Sequence, residues 1–190
     1  MSSDPRTEIP ALIEKTERNL KLIEEINGEF VYPTLNEWRY ATRHVASLLA
    51  TPEDEEECNK AVSHLKRAYF DSCDILLDCI LARIRDYGLC YHGYASIVSQ
   101  IVPDFQNGIL ATRDAQMAHR KVQLTHGEER EKNYDALTGH AERLLRFLDA
   151  LTTTESTWAE DIRRQKQRDR LPIIIAVITI AVTILVAVLL

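Results

Sequence analysis

Apolar residues recur every three or four positions along most of this chain, and no stretch alternates apolar with polar as a half-buried strand does. Leu12, Ile13, Leu20, Ile23 and Ile26 mark one face of a helix over 9–27, and Gly28 stops it. A connector over 29–33 leads to Thr34-Leu35-Asn36-Glu37, a capping box in which the threonine oxygen accepts from a first-turn amide while Glu37 reaches back. The helix it opens turns Leu35, Trp38, Ala41, Val45 and Leu48 inward. Thr51-Pro52-Glu53-Asp54 supplies a cap, a first-turn proline and acids at the positive end of the next helix. Its row, Val62, Leu65, Tyr69, Cys73, Leu76, Ile80 and Ile84, runs on to Tyr87-Gly88. A short helix over 94–102 stops at Pro103, and another over 104–124 has Phe105, Ile109, Leu110 and Met117 as its apolar members. After Gly127 a last amphipathic helix bears Tyr134, Leu137, Ala141, Leu144, Leu145, Leu148 and Leu151.

The pattern changes twice near the end. Thr152-Thr153-Thr154 is the weakest helical stretch of its region, since β-branched residues disfavour helix slightly, and it reads as a hinge. From Leu171 to Leu190 the chain carries no charge and no glycine. Twenty helical residues reach roughly 30 Å, the thickness of a bilayer's hydrocarbon core. The expected fold is therefore all-α: a bundle of about five helices over 1–151, a hinge and basic juxtamembrane segment over 152–170, and one transmembrane helix over 171–190. A buried core helix is the alternative, but core helices are rarely apolar all round. Within the tail, Ala176, Thr179, Thr183 and Ala187 fall on one helix face, where small residues would let helices approach closely in lipid. Trp158 is placed as an interfacial residue.

Charge adds an orientation. The collar Arg163, Arg164, Lys166, Arg168 and Arg170 flanks the tail, and basic flanks mark the side that stays in the cytoplasm. The chain has 23 basic and 29 acidic residues. Without the collar's five basic and one acidic residue, 18 face 28, a balance that repels nucleic acid unless cations gather locally. The four cysteines form no Cys-x-x-Cys pair and match no common zinc spacing, so no metal or cofactor is assigned. A phosphate-binding glycine loop, a His-Glu-x-x-His and a Gly-x-Ser-x-Gly are all missing, and no small-molecule substrate is identified.

Four Arg–His spacings remain: Arg39/His44, Arg85/His92, Arg113/His119 and Arg120/His126. In Arg113-Asp114-Ala115-Gln116-Met117-Ala118-His119 an acid directly follows the arginine, and that stretch resembles the signature of the HEPN superfamily of small helical bundles. The resemblance implies a paired enzyme in which Arg113 and His119 cleave RNA without a metal, the cation near the phosphate and the imidazole moving a proton. Asn36-Glu37-Trp38-Arg39-Tyr40-Ala41 and Ala61-Val62-Ser63-His64-Leu65-Lys66-Arg67-Ala68-Tyr69 look like the helix pairs of such bundles. Joined to a membrane helix, the chain is also similar to the small membrane accessory proteins of type VI-B CRISPR loci. That likeness implies antiviral defence, with a nucleic acid or a CRISPR effector as partner. The expected function is a homo-oligomer that permeabilises the inner membrane as a single-pass protein with a cytoplasmic bundle. A membrane-tethered HEPN-type ribonuclease and a tail-anchored scaffold are the alternatives.

Overall fold

The computed structural model describes residues 5–28 and 32–189, except for the side chains of 128 and 181–189. Among the described residues there are seven α-helices and no strand. They are α1 (Glu8–Asn27), α2 (Tyr32–Ala50), α3 (Glu55–Cys90), α4 (Ala95–Ile101), α5 (Phe105–Gln123), α6 (Gly127–Thr153) and α7 (Glu155–Leu189). A single 3-10 turn, Pro5–Thr7, precedes α1.

The spine is α3. Asp54 caps it, its carboxylate accepting from the Glu57 amide at 3.0 Å, so the cap falls three residues later than Thr51. All seven residues of the expected α3 row are buried, and so are Ala61, Ala68, Leu77, Leu81 and Tyr87. A helix buried this broadly has neighbours on several sides, and α1, α2 and α6 all lie against it. In α1 the glycine stop takes the expected form: Gly28 adopts a left-handed φ of 70° and its amide returns to the Glu24 carbonyl at 2.8 Å. Thr16 and Asn19 are buried as well. Thr16 donates to the Leu12 carbonyl, and Asn19 donates to the Ser72 hydroxyl at 3.0 Å.

Two helices differ from their sequence pattern. In α2 only Ala41 of the five expected inward residues is fully buried, and Leu35 is exposed. The helix already begins at Tyr32, so Thr34 lies inside its first turn; its buried hydroxyl has no partner among the described residues, and Glu37 turns to His64. In α5, Ile109, Leu110 and Met117 all point to solvent. The face of α5 turned inward is Gly108, Ala111, Ala115, Ala118 and Val122, which lets α5 lie close on α6. The approach is tightest at Gly108, where an added Cβ would fall 2.2 Å from the Phe147 ring.

The expected transmembrane helix is corrected. Among the described residues no helix is long and apolar enough to cross a membrane. Leu171 does not start an element: it continues α7, which begins at Glu155. Pro172 lies within it and cannot donate to the carbonyl one turn back. Trp158 is likewise not interfacial. It is buried edge-on against Tyr87 and Tyr91, and its Nε1 donates to the Leu151 carbonyl at 3.2 Å. Trp158 and Ile162 thus fix the root of α7, and every side chain from Arg163 to Ile180 except Gln165 is exposed.

Two substitutions test this packing. Gly108→Ala should cost about 1–3 kcal/mol in urea denaturation, because the Phe147 ring must move, and the loss should shrink when Phe147 is also shortened to Leu. Thr34→Val should raise the thermal midpoint, since a buried hydroxyl without a partner costs about 1–3 kcal/mol. A lower midpoint would show that the hydroxyl is bonded in solution.

Candidate functional site

The best-connected polar cluster gathers where α3, α5 and α6 meet. Asp74 of α3 accepts from the Tyr134 hydroxyl at 2.9 Å through one oxygen and lies 3.0 Å from His119 Nε2 through the other. The other ring nitrogen of His119 is 3.9 Å from Asp78. Tyr134 stacks on Phe70 with ring centroids 4.2 Å apart, and the Arg130 guanidinium lies 5.5 Å from both ring centres. Burial pushes the Tyr134 phenol up to about 12, so it remains a donor. Burial also raises the Asp71 carboxyl above the usual range, with Glu37 and Asp74 adding to the effect and Arg130 and Arg67 opposing it.

His119, singled out from the sequence, is therefore half-buried between two carboxylates. Arg113 is on the same helix but exposed, and it makes no hydrogen bond or ion pair among the described residues. Six residues separate them, which on a helix is about 9 Å along the axis and a third of a turn around it. The two do not converge within one chain. A phosphate reaching His119 would meet Asp74 and Asp78 first, and at short range like charge is repulsive. The cluster ties three helices together.

The other Arg–His spacings go elsewhere. His44 Nδ1 is 2.8 Å from Glu57 and His64 Nδ1 is 2.7 Å from Glu37, with the two imidazoles stacked at 5.3 Å between α2 and α3. Arg39 lies over the Tyr40 ring. Arg85, His92, Arg120 and His126 are exposed. Among the described residues no group of three His, Cys, Asp or Glu side chains is placed to hold a metal ion. The cysteines are free thiols, and burial pushes Cys73 up to about 12, which leaves it unreactive near neutral pH. Arg164 pairs with Glu160 at 2.6 Å, while Arg163, Lys166, Arg168 and Arg170 lie exposed along α7. Ala176 and Thr179 are exposed there too; Thr183 and Ala187 lie outside the residues whose side chains are described.

A shallow groove runs between α1 and α6 over α3. Tyr69, Phe70, Cys73 and Leu76 floor it, and Lys15–Asp135 at 2.8 Å and Arg18–Glu142 at 2.9 Å bridge its rims. Its exposed pairs close it against itself. Within the bundle, apart from the exposed length of α7, an apolar row with cations beside it lies on the outer face of α5. There Leu110 and Met117, with Leu124 capping the end of the helix, stand seven residues apart, 57%, 54% and 81% exposed, with Ile109, Arg113, Arg120 and Lys121 beside them. Sequence reasoning missed this face because it counted Leu110 and Met117 toward the bundle. The alternating Gly and Ala at 108, 111, 115 and 118 was the available signal that the opposite side packs.

The phenol of Tyr134 makes a pH test. Its raised pKa contributes stability that is fully present below its ordinary value of 10 and is lost as pH rises through about 12. The stability gap between the parent chain and Tyr134→Phe should therefore narrow across that window, followed by denaturation at stepped pH. A constant gap would place the phenol in water.

Compared with family models, with curated proteins and with solved structures, the chain matches none.

Proposed function

We propose that this chain is a helical interaction module that docks another protein on the outer face of α5, the scaffold function without the anchor. One observation carries it: α5 packs on α6 largely through its small residues, while Ile109, Leu110 and Met117 stand in water. Scattered exposed leucines are ordinary on any surface. A row two turns apart on the face opposite the packed one is not scattered, and such rows mark contact sites. Burying those three side chains would gain about 1.5–3 kcal/mol apiece before the cost of association. The membrane-acting oligomer drew its support from a spanning tail and is not carried further. The ribonuclease reading finds its histidine between carboxylates.

The test uses a photoreactive residue placed in living cells at Met117, with Arg85 on the exposed side of α3 as control. A discrete adduct is expected at Met117 and not at Arg85, and it should vanish in Leu110→Ser/Leu124→Ser. Those exposed changes should move stability by no more than about 0.5 kcal/mol. Equal labelling at the two sites, or labelling indifferent to the serines, would remove α5 as the docking face.

A further inference from the structure

Resting on that reading, we infer that the occupant of the α5 face is an acidic amphipathic helix of another protein and not a second copy of this chain. The face is cationic on an acidic molecule. Arg113, Arg120 and Lys121 are exposed beside the apolar row, and none makes an ion pair among the described residues, whereas Lys15, Arg18, Lys21, Lys60 and Lys66 all do. Asp114 makes no ion pair with them among the described residues. It lies on the flank of α5 toward His140, whose basicity it raises against the larger effects of burial and Arg143. The net charge of the chain is −6, and within the bundle these cations gather beside one apolar row.

The spacing specifies a helix. Leu110, Met117 and Leu124 repeat every seven residues, the period at which two helices keep one seam in contact. From first to last the row spans about 21 Å, close to four turns, which sets the length of the partner segment.

Charge argues against self-pairing. In an antiparallel pair of α5 helices centred on Met117, Leu110 comes level with Leu124 of the other copy, Arg113 with its Lys121 and Arg120 with its Asp114. A parallel pair sets each arginine against its counterpart. The parallel arrangement brings cations together along an apolar seam, where like charges suppress the wrong partner, and the antiparallel one sets each Arg113–Lys121 repulsion against an Arg120–Asp114 attraction, whereas an acidic partner meets all three cations. Glutamates or aspartates flanking the partner's apolar row would meet Arg113 on one side and Arg120 and Lys121 further along. The apolar row supplies the affinity; the cations select the partner and make its capture sensitive to salt.

The experiment titrates the full chain with two synthetic helical peptides of four turns that share one leucine row, one flanked by glutamate and the other by lysine. The acidic peptide should bind at least about tenfold tighter at low salt, with the preference shrinking at about 1 M salt. Arg113→Glu/Arg120→Glu should reverse the preference, and Leu110→Ser/Met117→Ser/Leu124→Ser should abolish both. Equal binding of the peptides, or tighter binding of the basic one, overturns the acidic partner. Sedimentation of the peptide-free chain separates the two readings. Self-association lost in the triple serine variant makes a second copy the occupant, and the docking face then survives while the inference fails. With no peptide bound and no self-association, both fail.

Discussion

Asp74 accepts from Tyr134 with one oxygen and meets His119 with the other, so a single carboxylate on α3 holds α5 and α6 to the helix on which α1 and α2 also lie. The Asp74 side chain is 30% exposed, so water would replace a lost partner only in part. The arrangement meets the carboxylate from two sides and adds ring stacking of Tyr134 on Phe70. It also explains why the histidine with the most suggestive spacing is occupied with structure. A ring held between carboxylates orients two helices well and receives an anion badly.

The close seam between α5 and α6 has the opposite character. It depends on what is missing: no side chain at Gly108, and only methyl groups at Ala111, Ala115 and Ala118. Helices packed through such residues come near enough that a large apolar side chain has no room between them. Leucine and methionine on α5 therefore face outward for steric reasons before any question of function arises.

Sequence periodicity located α3 and α6 well, since large apolar residues repeating at helical spacing have one satisfactory place to go. It failed on α5 for a physical reason. Hydrophobic weight follows side-chain size, so a packed face of Gly and Ala reads as weaker than an exposed face of Leu and Met. On α2 the inward face is partly built from His44 and Glu37, which count as polar in any pattern and are satisfied only by Glu57 and His64 on the neighbouring helix. The same holds for the candidate site. Arg113 and His119 are visible because they are close in sequence; Asp74 is 45 residues from His119, and nothing local announces that the two will meet. At the tail, composition alone suggested a separate element, whereas the helix runs unbroken from Glu155, rooted by Trp158.

That root is an aromatic row. Tyr87 and Tyr91 stand edge-on to Trp158, Tyr91 to Phe105, and Phe105 to Phe147, each pair with centroids about 6 Å apart. Across α3, by contrast, α1 and α6 are bridged by the exposed pairs Lys15–Asp135 and Arg18–Glu142. The two sides of the molecule therefore answer to different solvents. Added salt screens the charged bridge and leaves the rings alone, while cooling weakens the apolar contacts around Trp158 and leaves the charges in place. Salt thus acts more on the bridge between α1 and α6 than on the root of α7, and cooling acts more on that root than on the bridge.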